Sequence, residues 1–234
     1  MEKTDIVISY IASVVVKAES EKEEKQMEAK LRRTNYMSIS GMIISDFQDG
    51  YTAYGEKCYV SEIEMKRLSG KADRIPIIVP EKLINDTEDY IEKYICALGQ
   101  YRSRNCYDGQ KRRLELYISV RDFSIKMNED GQADNNYIFL DGYLCKKPIY
   151  RLTPLGRAIT DLLVAVNRPN GRSDYIPCIC WGRTACLAAS LSVGSHVGIV
   201  GRVQSREYTK RQRDRKPETR IAYEVSVSKL RIAN

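Results

Sequence analysis

Three aromatic residues in the last quarter of the chain, Tyr175, Trp181 and Tyr208, are spaced among strand-forming and basic residues in a way that suits stacking against flat rings. In YIPCICW (175–181), the two-residue period of a strand puts Tyr175, Pro177, Ile179 and Trp181 on one face and Ile176, Cys178 and Cys180 on the other. The second set is small and apolar, so it is expected to pack inward. Tyr175 and Trp181 then project outward, six residues or about 20 Å apart. Each such ring can stack one base of an extended single strand, at about 1–3 kcal/mol per base. A buried, purely structural Trp181 fits the residues equally well. Downstream, GRVQSREYTKRQRDRKPETR (201–220) gathers Arg202, Arg206, Lys210, Arg211, Arg213, Arg215, Lys216 and Arg220 around Tyr208. A run this charged cannot pack on itself. It reads as a long hairpin tip able to track phosphates, or more blandly as a solvated loop. Lys146, Lys147, Tyr150 and Arg151 form a smaller basic and aromatic cluster, and Arg157 and Arg172 add positive charge.

Other chemistries lack their parts. No nucleophile stands with a paired base, no carboxylate pair stands out, and no glycine-rich phosphate loop is present, so no catalytic residue and no enzyme activity are expected. His196 is the single histidine, and the seven cysteines include no C-x-x-C pair, so neither a metal site nor a cofactor is expected. Cysteines used as core residues point to a reducing, cytoplasmic setting. The N-terminal run IVISYIASVVV is too short to span a membrane and lacks a basic region ahead of it, so no membrane association is expected. The net charge of +7 lies entirely in the C-terminal part, since residues 136–234 hold 17 basic and 7 acidic side chains.

The elements that must position these residues are duplicated. Shifting the sequence by 101 positions aligns Asn35 with Asn136, Gly41 with Gly142, Arg67 with Arg168, Asp73 with Asp174 and Pro76 with Pro177, and one further residue brings GQYRSR (99–104) onto GRVQSR (201–206). A period of this size is a whole domain. The parse is a helical extension at 1–33, one domain at 34–126, a polar linker at 127–134 and a second domain at 135–234. In the second repeat, strands are expected at 137–145, 158–167, 175–181, 197–206 and about 220–230. A turn runs from Lys146 to Gly156, a short helix covers RTACLAASL, and a basic loop precedes the last strand. The class is mostly β: two tandem five-stranded barrels of the OB-fold type, each with a short helix between its third and fourth strands.

The segments GYLCKKPIYRLTPLGRAITDLLVAVNR and DYIPCICWGRTACLAASLSVGSHVGIVGRVQSREY resemble the bacterial single-stranded DNA-binding protein family along nearly the whole second repeat. Two elements, W-G-[KR]-x-A and G-x-x-x-S-R-x-[WY], carry the likeness. The resemblance implies an OB barrel that assembles with four such domains around single-stranded DNA, serving replication, recombination and repair. It also implies stacking aromatics at the positions of Tyr175, Trp181 and Tyr208. Two chains pairing as a homodimer would supply the four domains. The first repeat has Arg74, Pro80 and Cys106 where the second has the rings, so it is expected to be a degenerate copy that chiefly supplies assembly surface. Some phosphate contact is expected from Arg102, Arg104, Lys111, Arg112 and Arg113, with Tyr101 or Tyr107 as a partial substitute for the lost rings. The family's acidic, aromatic-tipped recruitment tail has no counterpart after KLRIAN, so that recruitment is expected to be absent. A protein-interaction or primosomal OB module with weak DNA affinity, and a single-stranded RNA binder, are the alternatives.

Overall fold

From residue 34 onward, runs in which every second side chain is apolar dominate the chain, and a strand is the conformation that brings all of them to one side. A computed structural model describes residues 34–50, 55–85, 87–109, 111–126, 135–212 and 215–233. The expected helical extension at 1–33, the linker at 127–134 and Arg213 lie outside the described residues. Within the compact unit Thr34–Asn234 the strands are β1 (Asn35–Ile43), β2 (Gln48–Asp49), β3 (Cys58–Lys66), β4 (Ala72–Pro80), β5 (Tyr94–Asp108) and β6 (Lys111–Ile125). They continue with β7 (Asn136–Leu144), β8 (Ile149–Leu152), β9 (Ala158–Asn167), β10 (Ser173–Trp181), β11 (His196–Gln212) and β12 (Arg215–Ile232). One helix, α1 (Gly182–Ala189), follows β10. The chain is mostly β.

Hydrogen-bonded neighbours run β2-β3-β4-β6-β5-β1-β7-β11-β12-β10-β9-β8, and β1 also pairs with β3 as β7 does with β9. These pairings link five strands into a cycle in each half, β1-β3-β4-β6-β5 and β7-β9-β10-β12-β11. The halves join where β1 meets β7 antiparallel, with Met37 opposite Ile138, Asn35 opposite Leu140 and Ile39 opposite Asn136. Met37 and Ile138 are counterparts in the duplication, so a local two-fold axis passes between them. To pair with β5 along most of its length and then cross to β3, β1 has to pass close to a neighbouring backbone. Gly41 sits at that point and Gly142 at its equivalent. A Cβ on either would come within 2.4 Å of a carbonyl oxygen, that of Glu64 or of Ala165.

The inward set Ile176, Cys178 and Cys180 packs into the core beside Val164 and Val225, as the alternation requires. Burying each such side chain contributes roughly 1.5–3 kcal/mol for the larger ones. At the end of β10, Gly182 takes φ 56°, a left-handed conformation that turns the chain into α1. The helix docks on β9 through Thr160, whose Oγ1 donates to the Ala185 carbonyl at 2.7 Å.

Three local expectations give way to the structure. After β4, the described residues of the first half form a 3-10 turn, Glu81–Leu83, in place of a short helix. Asn85 Oδ1 accepts from the Thr87 N–H at 3.2 Å, and Asp89 Oδ1 accepts from the Ile91 N–H at 3.0 Å, so side chains compete there with helical bonding. The turn expected from Lys146 to Gly156 contains β8. The basic loop is a continuation of β11 and β12, which stay paired out to Gln212 opposite Arg215. A two-stranded ribbon has water on both faces, so it tolerates charges throughout and loses the alternation that marks a strand.

Candidate nucleic-acid interface

On β10, the outward face is open at its two ends and closed between them. Tyr175 is 39% exposed, Trp181 and Pro177 are half-buried, and Ile179 is buried at 5%. Trp181 stands outside the core cluster, and the Arg157 guanidinium lies 5.2 Å from its ring centre. Register across β8, β9 and β10 places Arg151, Ile159 and Trp181 in one row. Tyr150 falls in the next row with Thr160 and Cys180, whose side chains turn the other way, so the structure does not bring Tyr150 to the face of Trp181. Arg151 is exposed and holds Asp161 by two hydrogen bonds, of 2.9 and 3.1 Å. Lys146 and Lys147 are exposed in the loop before β8, and Arg172 is exposed in the turn before β10.

Tyr208 is 38% exposed on β11, and Arg206 lies 6.0 Å from its ring centre while also standing 3.8 Å from Glu224. Lys210 and Arg211 lie on β11 and Arg215 and Lys216 on β12, with side chains outside the described residues. Arg202 has a different setting. Its Nη1 is 3.8 Å from the fully buried Asp73 of the first half, and burial lowers its pKa from the ordinary arginine value. In the first half, Tyr101 is fully buried and is therefore closed to stacking, whereas Tyr107 is 75% exposed near the tip of the β5–β6 hairpin.

Residues 135–232 match the model of the single-strand binding protein family. Over that stretch the chain is similar to this family. A single-stranded DNA-binding protein of Oceanobacillus iheyensis is 40% identical over 80 residues, covering 31% of this chain and 50% of the relative. Single-stranded DNA-binding protein A of Bacillus subtilis is 38% identical over 87 residues, covering 34% and 51%. The chain thus spans about half the length of the curated relatives it matches. The wild-type single-stranded DNA binding protein from Thermus aquaticus superposes with a TM-score of 0.64 at 19% identity, covering 86% of this chain and 93% of that one. This likeness concerns the fold, and its coverage takes in the first half, beyond the stretch that matches the family in sequence.

A duplicated polar clamp also joins the two halves of the chain. Asp174 and Asp73 are fully buried. Asp174 is gripped by Arg168 of its own half and by Arg102 of the other, the latter at 2.7 Å, and accepts from the Ser103 N–H at 2.7 Å. Asp73 is gripped by Arg67 and accepts from the Ser205 N–H at 2.7 Å. Beside the first clamp, the Tyr175 N–H donates to Ser103 Oγ at 2.8 Å, so the first half's hairpin holds the backbone of an exposed ring in the second. Arg67, Asp73, Arg168 and Asp174 were all visible as repeated residues. Their action across the halves was not, because a repeat does not reveal whether matched residues serve their own copy or the other.

Proposed function

We propose that the chain binds single-stranded DNA, the ligand in the names of its relatives, and that it does so without sequence preference, catalysis or cofactor. Bases stack on Tyr175, Trp181 and Tyr208. Phosphates are neutralised by Lys146, Lys147, Arg151, Arg172 and Arg206 and by the hairpin residues Lys210, Arg211, Arg213, Arg215 and Lys216. The architecture is two tandem OB-fold barrels at 34–126 and 135–234, a reading supported by the closed five-strand cycle in each half. The carrying observation is the outward placement of Tyr175 and Trp181 at the two ends of one strand face, with Arg157 against the second ring, in the segment that matches the family.

Titrating the protein with oligo(dT) while following Trp181 fluorescence tests this. Saturable quenching is expected, with an affinity that falls steeply with salt because counterions leave the strand as phosphates are neutralised. Tyr175→Ala and Trp181→Ala should each weaken binding by about 1–3 kcal/mol, the latter read by anisotropy of a labelled strand. An unquenched tryptophan with no detectable binding would reject the reading in favour of a protein-interaction module. Equal affinity for oligo(U) would replace DNA by single strands of either kind.

A further inference from the structure

Ser103 stands on β5 of the first half, and its three polar groups each bond to the second half. Its N–H donates to Asp174 Oδ1 at 2.7 Å, its carbonyl accepts from Arg168 Nη2 at 2.8 Å, and its Oγ accepts from the Tyr175 N–H at 2.8 Å. The last of these bonds fills a gap in β10. That strand pairs with β12 at Cys178 and Ile179, beyond Tyr175, and Pro177 in between has no N–H to offer a neighbour. The Ser103 hydroxyl thus takes the place of a ladder bond at the end of β10 that presents Tyr175. Ser103 is buried, at 8% exposure, and Asp174 is fully buried, so water is a poor substitute for either partner.

The duplication supplies an internal comparison. At the matching place, Ser205 Oγ accepts from the Arg74 N–H at 3.3 Å, and the Ser205 N–H donates to Asp73 Oδ1 at 2.7 Å. Arg74 occupies the position of Tyr175 and is ion-paired with Glu64 at 2.9 Å. The two serines therefore make the same kind of bond across the seam, and the one from the first half ends on an exposed ring. A ring whose backbone is fixed beforehand loses less freedom when a base stacks on it. We propose that Ser103 is a positioning residue for single-strand binding. It holds the Tyr175 backbone in place, so the first half raises the affinity of the second without touching a nucleotide. This rests on the single-strand reading above.

Anisotropy of labelled oligo(dT) tests this with the full chain, Ser103→Ala, Ser205→Ala, Tyr175→Ala and the double variant Ser103→Ala/Tyr175→Ala. Ser103→Ala should weaken binding about 2- to 10-fold, the worth of one hydrogen bond. Added to Tyr175→Ala it should weaken binding no further, because the ring it positions is gone. Ser205→Ala removes the duplicate bond at the seam and should leave the affinity unchanged. Full affinity of Ser103→Ala would overturn the proposal. So would an undiminished loss in the Tyr175→Ala background, or an equal loss from Ser205→Ala, and each of these results leaves single-strand binding intact. Failure of the unaltered protein to bind oligo(dT) would instead overturn the reading beneath it. If Ser103→Ala does not fold, hydrogen exchange in the unaltered protein decides. Coupling is reciprocal, so oligo(dT) should slow exchange of the Tyr175 amide by about the same 2- to 10-fold and leave the Arg74 amide as it was. An unchanged rate at Tyr175 would sink the positioning role.

Discussion

Cys180 illustrates how position on a strand sets chemistry. Burial, with Asp161 adding to it, pushes its thiol up from 9.0 to about 12, so the folded protein keeps a proton that the unfolded chain releases near pH 9. Stability from this group is complete below about pH 9 and is lost as pH rises toward about 12. The urea midpoint should therefore fall across that window, and Cys180→Val should make the fall shallower. Asp174 is a stronger case. Asp174→Asn would leave Arg102 and Arg168 facing a neutral partner in a buried setting, so a loss of about 3–5 kcal/mol is expected in urea denaturation. Alternation put Tyr175 and Trp181 on one strand face but left a buried Trp181 equally open. The burial of Tyr101 was not legible, because its surroundings include groups of the other half: its raised pKa comes first from burial and then from Tyr223, Cys178 and Glu224.

Among the elements, β7 is closely constrained at one glycine. A methyl group on Gly142 would press against the Ala165 backbone, so Gly142→Ala should lower stability by about 1–3 kcal/mol, read as a drop in thermal midpoint. The five main strands of the second half were readable because each has a buried face with a two-residue period. β8 was not, since all four of its residues are exposed, and the outer halves of β11 and β12 were not, since a ribbon in water has no inner face to impose a pattern. The first half's missing helix was equally hidden: nothing in the spacing of Asn85, Thr87 and Asp89 excludes a helix until their side-chain bonds to the backbone are seen.

Over the whole molecule, the duplication was the most legible feature; the mostly β class came from short strand-favouring runs, and the expected pairing of two chains from the family resemblance. Light scattering at micromolar concentration should give twice the chain mass of 26.8 kDa, and a monomer would end that proposal. The sequence did not show that the duplicated residues converge on a seam inside the chain. That seam has already become unequal: an amide and a guanidinium are paired on both sides, as Gln100 with Arg102 and as Gln204 with Arg202, in exchanged positions. In an association of separate subunits, such drift weakens the contact and dilution then pulls the partners apart. Here one polypeptide holds both sides at a fixed effective concentration. Any opening between the halves would therefore be a unimolecular event, with an equilibrium that no change in protein concentration can move.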